Sequence, residues 1–276
     1  MMQKLIKLLD VTALPRTLWQ NRSLLFQFTR RNVESRYRGS LLGLLWSFIQ
    51  PLMMLFIYTF VFSIVFKAKW NLAGDGAPGV FPVVMFSGMA MYNIFQESII
   101  LNCSVITGNQ NLVKKVIFPL DILPVANMGA TAVLGMAWVA LLVIGVLIIF
   151  GHVCWTLVLT PLVYLPLLMI TLGVSYFVAS LGVYMRDMQY IVGIILQVLF
   201  FMTPVFYPIE NVPEQFQPIL LLNPLSPILE QGRQVMIFGQ VPDVWVWLRS
   251  FAIAYLVLHF GYVWFRTTKK GFADVL

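Results

Sequence analysis

Long, unbroken apolar runs constrain this chain more than any other feature of its sequence. A helix that crosses the roughly 30 Å hydrocarbon core of a bilayer needs about 20 mostly apolar residues. Strands of a membrane β-barrel are about 10 residues long and alternate in polarity, so continuous runs exclude that fold. The sequence therefore predicts six transmembrane helices, at Leu41–Phe66, Val80–Leu101, Ile122–Phe150, Trp155–Tyr184, Tyr190–Tyr207 and Val246–Arg266.

The composition agrees with a membrane protein. Of the 276 residues, 60% are hydrophobic and 11% are charged, against about 25% charged in a typical soluble domain. So few polar side chains cannot cover the surface of a water-exposed fold, which excludes a soluble globular enzyme. We expect an all-α integral membrane protein, with residues 1–40 as an amino-terminal segment and residues 41–276 as the membrane domain.

The second predicted span is the weakest of the six. It carries Asn93, Gln96, Glu97 and Ser98 in one cluster, which is costly against lipid. We expect this part of the helix to face protein or the membrane surface, with Glu97 bonded to polar neighbours. Glu97 is also the sole acidic residue within a predicted span, whereas ion-driven transporters usually need several ionisable groups there, so ion-coupled transport is disfavoured.

Basic residues predict the orientation. Fourteen of the 18 lysines and arginines fall in segments 1–40, 102–121, 185–189 and 266–276, which six spans leave on one side of the membrane. The positive-inside rule places these segments, and both termini, in the cytoplasm. The net charge of +7 is then a topology signal, and no nucleic-acid partner is expected. Cys103 and Cys154 would lie on opposite sides and could not pair.

Two segments on the predicted cytoplasmic side have helical character. Leu18–Tyr37 is apolar on one arc and basic on the other, which predicts an interfacial amphipathic helix. Its basic face would meet lipid headgroups or a cytoplasmic partner, and a plain juxtamembrane anchor is the alternative. Asn109–Asp121 has room for a short helix that ends near Pro119, because proline removes an amide donor.

The stretch Thr203–Asp243 contains seven prolines and two short apolar pieces, Phe216–Leu222 and Ile228–Phe238. Both pieces are too short to span and too apolar for a free loop. We predict two short helices that re-enter the outer leaflet as an external hairpin, 208–243, bordering a pathway. A lid packed on the outer surface is the alternative.

Several chemistries are missing from the sequence. The pattern Gly-x-x-x-x-Gly-Lys-Ser/Thr does not occur, so no nucleotide-binding P-loop is expected. The two histidines, His152 and His259, lie in different spans or loops, and the sequence contains no cluster of cysteines or carboxylates, so no metal site of three side chains is expected. We assign no catalytic residue and no cofactor to this chain.

Aromatic residues make up 14% of the chain, and two of the predicted spans carry them on one face. Flat aromatic rings can stack on the apolar C–H faces of sugars, so such faces could let a glycan slide through a channel. Helix packing or lipid contact is the alternative for both faces. The candidate pathway residues are Phe48, Tyr58, Phe62 and Phe66 on the first span and Tyr190, Gln197 and Phe201 on the fifth.

Four stretches together resemble a known family. They are Arg30–Leu52 (RRNVESRYRGSLLGLLWSFIQPL), Asn111–Pro124 (NLVKKVIFPLDILP), Tyr184–Met188 (YMRDM) and Asn223–Ile228 (NPLSPI). The chain is similar, over essentially its whole length, to bacterial ABC type-2 permeases that export polysaccharides such as O-antigen, capsule and teichoic acid.

This resemblance implies a homodimeric permease in the bacterial inner membrane that docks two separate ATPase subunits, which bind ATP and Mg. The cargo would be a lipid-linked glycan. In that family the amino-terminal helix and the loop after the second span contact the ATPases. The docking residues so implied are Arg30, Arg31, Asn111, Leu112, Lys114, Lys115, Arg186 and Asp187.

Arg36 and Arg38 stand closest to the first predicted span. Because guanidinium groups suit phosphate oxygens, both are candidates for the pyrophosphate of a lipid carrier. Attraction to anionic lipids is the alternative. For the whole chain, two other functions stay open: a type-2 permease for a drug or lipid, and a membrane-embedded glycan transferase, which would need a catalytic acid or base.

Overall fold

The computed structural model describes residues 13–67, 70, 79–114 and 118–276. Throughout these ranges the chain forms helices and turns and contains no strand. Four helical stretches within them are long and apolar enough to cross a membrane, which confirms an all-helical membrane protein. Those stretches are Gly43–Val65, Ile122–Phe150, Trp155–Tyr184 and Val244–Val275.

Twelve α-helices make up most of the described structure, and short 3-10 turns lead into or out of several of them. In chain order the helices are α1 (Ala13–Gln20), α2 (Arg22–Arg36), α3 (Trp46–Tyr58), α4 (Val80–Cys103), α5 (Gln110–Val113), α6 (Ile122–Phe150), α7 (Thr160–Tyr184), α8 (Met188–Phe201), α9 (Gln217–Leu222), α10 (Leu225–Met236), α11 (Val244–Thr268) and α12 (Phe272–Val275).

The first span changes its helical pitch along its length. A 3-10 turn at Gly43–Leu45 leads into α3, which continues as a π-helical segment at Thr59–Val65. The only buried residues in α3 are Ser47 and Pro51. The first span therefore lies at the edge of the bundle with much of its apolar surface exposed, and wide helical turns of this kind often mark functional positions.

Helix α4 occupies the centre of the bundle, packed against α6, α7, α8 and α10. Most of its 24 residues are buried, and at about 1.5 Å per residue the helix is about 36 Å long. Asn102 at its end donates from Nδ2 to the Ser98 carbonyl oxygen at 2.9 Å. Because protein surrounds α4, the helix tolerates polar residues that lower its hydropathy, and it is not among the four apolar spans.

The close approach of α7 and α11 depends on glycine. A Cβ added to Gly261 would meet the Gly173 carbonyl oxygen, and one added to Gly173 would lie 2.5 Å from the Val257 oxygen. Small residues of this kind let membrane helices approach backbone to backbone.

The basic segments converge at one end of the bundle, here called the basic end. Phe28 of α2 packs against Phe118 with ring centroids 5.4 Å apart. Lys269 forms an ion pair with Asp121, and the Tyr184 hydroxyl donates to the Thr268 carbonyl oxygen at 3.1 Å. The predicted grouping of these segments on one side agrees with this arrangement.

The free cysteines lie at opposite ends. Cys103 closes α4 at the basic end, whereas Cys154 follows the 29-residue helix α6 at the other end, where its Sγ lies 3.8 Å from the Ile237 carbonyl oxygen.

The amino-terminal helix differs from the sequence prediction. The segment Leu18–Tyr37 is not one helix, because Asn21 separates α1 from α2. The Asn21 side chain donates to the Thr17 carbonyl oxygen at 2.8 Å, a local bond that competes with continued helix.

Two further boundaries differ. The loop helix α5 ends at Val113, well before Pro119. The fifth predicted span, Tyr190–Tyr207, is helical only to Phe201, because the nearby prolines cannot continue the helical bonding pattern.

The two short helices predicted between the fifth and sixth spans are present as α9 and α10. The second begins at Leu225, three residues before the predicted apolar piece. It packs against α4 and α7, and nine of its residues are buried, so α10 belongs to the core of the fold.

Replacement of Gly261 tests the α7–α11 contact. We expect Gly261→Ala to lower the free energy of unfolding by about 1–3 kcal/mol, because the new methyl group overpacks a backbone contact. Thermal unfolding in detergent measures the change. Gly145→Ala in α6 is the control, since an added Cβ there makes only an ordinary van der Waals contact of 3.5 Å with Val83. Equal melting temperatures for the two variants would contradict the close packing.

Candidate functional site

A cavity of about 670 Å³ lies between α3, α4 and α8. It follows α8 from Gln189, near the basic end, to Phe201 at the end of that helix. We call it the amide-aromatic cavity. Its described lining residues are Gln50, Met54, Tyr58, Met89, Tyr92, Asn93, Gln96, Ile100, Trp138, Gln189, Tyr190, Gly193, Ile194, Gln197, Phe200 and Phe201.

The two faces singled out in the sequence meet at this cavity. Tyr58 comes from α3, and Tyr190, Gln197 and Phe201 come from α8. On α8 the lining positions recur every three or four residues, which is the spacing of one helical face. The three α8 residues singled out in the sequence therefore all line this cavity, and their part in a pathway stays a prediction.

Three of the predicted pathway residues lie outside the cavity lining. Phe48 is 42% exposed on the outside of α3. Phe62 stacks on Phe206, with ring centroids 4.8 Å apart and an interplanar angle of 15°. Phe66 is largely exposed and contacts Phe62 with centroids 5.9 Å apart.

Phe206 is a central residue that the sequence reasoning missed. Its buried ring lies 5.3 Å from Tyr58 and 4.9 Å from Phe200, measured between centroids. It follows α8 in a proline-rich turn, where no helical periodicity points to a shared face. Together with Phe62 and Phe201, these rings form an aromatic cluster at the end of the cavity remote from the basic end.

Arg233 of α10 holds the turn that carries Phe206. The guanidinium group is fully buried. It donates to the carbonyl oxygens of Pro204 and Val205 and pairs with Glu230 at 3.1 Å. Its Cζ also lies 4.5 Å from the centroid of the Trp70 ring. The hairpin predicted to border a pathway is therefore tied directly to the aromatic cluster.

The polar part of the cavity lining consists of carboxamides and tyrosine hydroxyls. Gln50, Gln189 and Gln197 are exposed within one chain, and Gln96 is half-buried. Carboxamides both donate and accept hydrogen bonds. In the sequence, Asn93 and Gln96 stand out only as costly residues of the second span. Their position in the cavity lining becomes apparent once α3 and α8 are packed beside α4.

Glu97, next to this cavity, is paired with Arg36. The two side chains form an ion pair between α2 and α4, each about one-quarter exposed. Asn93 also donates to Glu97 Oε2 at 3.4 Å. The expected bonding of Glu97 to polar neighbours is thus observed. Its ion-pair partner, however, is Arg36, which the sequence suggested as a ligand for the pyrophosphate of the lipid carrier. Arg38 is exposed and has no acidic partner within ion-pair distance among the described residues.

A chain of amides provides a second link from α2 to the bundle. Asn32 donates to Asn127 Oδ1 at 2.7 Å, and Asn127 donates to Asn102 Oδ1 at 3.3 Å. This chain joins α2 to α6 and α4. Together with the Arg36–Glu97 pair, it fixes the amino-terminal helix to the two helices at the centre of the fold.

Several of the described residues implied for ATPase docking line two neighbouring cavities at the basic end. Arg31, Asn111 and Leu112 line a cavity of about 450 Å³, and Arg186 lines a neighbouring one of about 520 Å³. Thr107 borders both cavities. Lys114 and Asp187 are exposed close by in sequence, and Lys115 lies outside the described residues.

Charge on this surface is largely open to solvent. Arg30 pairs with Glu34 at 2.7 Å while both side chains are more than half exposed. Their hydrogen bond raises the pKa of the Arg30 guanidinium, but exposed pairs of this kind contribute little stability. Arg31 lies over the Phe28 ring at 4.3 Å from its centroid. Within the described ranges no group of three His, Cys, Asp or Glu side chains could hold a metal ion.

Comparison with known proteins gives the family. Residues 23–237 match the family model described as ABC-2 type transporter. The O-antigen export system permease protein RfbA of Myxococcus xanthus is 30% identical over 275 residues, covering 95% of this chain and 98% of that protein.

Two further relatives align with most of this chain. RfbA of Klebsiella pneumoniae is 27% identical over 92% of this chain and 95% of its own. The polysialic acid transport protein KpsM of Escherichia coli is 23% identical over 87% of this chain and 92% of its own. This chain belongs to the ABC-2 type transporter family.

Proposed function

We propose that this chain is the permease subunit of an ATP-driven exporter that moves a lipid-linked polysaccharide across the bacterial inner membrane. The observation that carries the proposal is the amide-aromatic cavity, whose tyrosine, phenylalanine and tryptophan rings suit sugar faces and whose carboxamides suit sugar hydroxyls. The relatives named for O-antigen export and polysialic acid transport support a glycan cargo over a drug or a membrane lipid.

The proposed topology has six spans with both termini in the cytoplasm. It adds α4 and α8 to the four apolar spans. Helix α4 has the necessary length and is enclosed by protein. Helix α8, with 14 residues, reaches about 21 Å at 1.5 Å per residue, and the turn held by Arg233 completes its passage. The basic end then faces the cytoplasm, in keeping with the positive-inside rule.

A second copy of the chain is proposed to close the cavity. Gln50, Gln189 and Gln197 are exposed on the otherwise apolar helices α3 and α8. Hydrogen-bonding groups that face lipid without partners are costly. A homodimer that pairs these edges would turn two open cavities into one wet channel, and it would bury the exposed apolar surface of both helices.

Two separate ATPase subunits, which bind ATP and Mg, are proposed to dock at the basic end. The surface around Arg31, Leu112, Lys114 and Arg186 offers exposed charge and two cavities next to α2. Movement there would reach the channel through the Arg36–Glu97 pair, because Glu97 hydrogen-bonds to Asn93, which lines the cavity. Coupling of this kind is a rigid-body switch acting through packed helices.

The pyrophosphate of the lipid carrier is proposed to meet Arg38 and Arg36 as it leaves the cytoplasmic leaflet. Of the two, Arg38 is the stronger candidate, because Glu97 already neutralises much of the Arg36 charge. Bidentate guanidinium contacts would suit phosphate oxygens.

Aromatic substitutions test the channel. We expect Tyr58→Ala and Phe201→Ala each to reduce surface glycan at least threefold, because each removes a ring from the cavity lining. Flow cytometry of intact cells with a glycan-specific lectin measures export, and membrane immunoblots monitor expression. Phe48→Ala is the matched control, since Phe48 lies on the same span but outside the cavity. If Phe48→Ala were as damaging as Tyr58→Ala, the cavity would not be the pathway.

Charge reversal tests the docking surface. We expect the double variant Lys114→Glu, Lys115→Glu to lower the amount of ATPase that co-purifies with the permease at least fivefold. An ATPase surface with negative charge opposite the two lysines would be repelled by the two glutamates. Lys67→Glu, an exposed charge at the opposite end, is the control. Normal co-purification and normal coupled ATP hydrolysis by the double variant would remove the loop from the docking surface.

Deletion of the gene tests the function as a whole. The proposal predicts that lipid-linked glycan accumulates on the cytoplasmic leaflet and disappears from the cell surface. Continued surface display of every cell-envelope glycan in the deletion strain would contradict it.

A further inference from the structure

The groups that line the amide-aromatic cavity indicate which class of sugar polymer it can bind. None of its sixteen described lining residues carries a formal charge. Its polar groups are carboxamides, including Gln50, Gln96 and Gln197, and the hydroxyls of tyrosines such as Tyr190.

The glutamine carboxamides of the cavity are available to a ligand. Within the described part of the chain, the side chains of Gln50, Gln96, Gln189 and Gln197 take part in no hydrogen bond. A carboxamide donates through its NH₂ group and accepts through its oxygen, so it can satisfy a sugar hydroxyl, which likewise does both.

Two charged residues lie beside the middle and the aromatic end of the cavity, and both are compensated. Glu97 lies beside the cavity, but Arg36 pairs with it. Arg233 binds the turn that carries Phe206 of the aromatic cluster, and it is fully buried, with Glu230 and two carbonyl oxygens as partners. Arg36 and Arg233 therefore offer no unpaired positive charge to a polymer that follows α8.

Where it contacts the rings of the aromatic cluster, an anionic repeating unit would therefore lose part of its hydration without gaining a counter-charge. Transfer of an unpaired carboxylate from water into a less polar surrounding is costly, and the cost recurs each time a charged unit passes the aromatic cluster. Uncharged sugars incur no such penalty, since their C–H faces stack on the rings and their hydroxyls exchange water for carboxamides.

The geometry points to a polymer with uncharged, hydroxyl-rich repeating units as the cargo of this permease. The inference rests on the proposed export function and narrows it by excluding polymers that carry a carboxylate or phosphate in every unit. This exclusion does not apply to the pyrophosphate of the lipid carrier, because it occurs once per molecule and would bind the arginines at the basic end.

Export of two matched polymers tests this inference. The permease and its ATPase partner are expressed in a host that lacks its own exporter and makes one of two lipid-linked polymers of equal length on the same carrier. One polymer is a mannose homopolymer, and the other has glucuronic acid in every repeat. We expect the mannose polymer to reach the surface at least tenfold faster, as measured by pulse labelling and surface biotinylation.

A cation placed in the cavity is the second measurement. We expect Gln197→Lys to reduce the preference for the uncharged polymer at least threefold, because the new ammonium group supplies the missing counter-charge. Gln197→Met, similar in volume and uncharged, should lower the two rates together and keep their ratio.

Each outcome bears on one claim. Equal export of the two polymers by the unaltered complex, or an unchanged ratio in Gln197→Lys, would overturn the inference while the export function stands. If neither polymer reached the surface although the complex assembled and hydrolysed ATP, the proposed function would fail, and the inference with it.

Discussion

A polar side chain inside a bilayer needs a protein partner or a water-filled space, and the rest of the structure depends on how α4 meets that requirement. Its buried face holds Asn102 in bonds to protein, and its other side presents Asn93 and Gln96 to the amide-aromatic cavity. The more apolar helices α6 and α7 pack around it and can contact lipid. A helix with low hydropathy is thus the centre of the membrane domain, because protein takes the place of lipid around it.

Two arginines connect this centre to the ends of the molecule. Arg36 joins the amino-terminal helix to Glu97, one turn of α4 from the cavity-lining Asn93. Arg233 joins α10 to the carbonyl groups that precede Phe206. Each arginine connects elements that are far apart in sequence, so the proposed movement at the basic end would act on the cavity through a few short contacts.

The sequence predicted the elements of the fold better than their packing. The lengths of the apolar runs predicted an all-helical membrane protein and both ends of α6. The helical spacing of polar and aromatic residues in the fifth span predicted the face of α8 that lines the cavity. Of the residues that the same spacing singled out on the first span, only Tyr58 lines the cavity. The π-helical segment after α3 changes the rotation per residue and turns Phe62 and Phe66 towards other neighbours. Asn21 broke the amino-terminal helix through a side-chain bond that hydrophobic periodicity does not register.

Long-range partners were beyond the reach of sequence patterns. Phe206 lies in an irregular turn, so no period links it to Tyr58, and the pairing of Arg36 with Glu97 spans two elements that no local rule brings together. Carboxamides on α3, α4 and α8 acquire a common function only when the three helices surround one space.

The central claim is that glycan passes along the amide-aromatic cavity. Site-specific photo-crosslinking during ATP-driven export tests it most directly, with a benzophenone amino acid at position 197 of α8 or at the lipid-exposed position 148 of α6. The account predicts glycan attached at position 197 only when ATP is hydrolysed, and none at position 148. Labelling at position 148 without labelling at position 197 would show that the polymer takes another route.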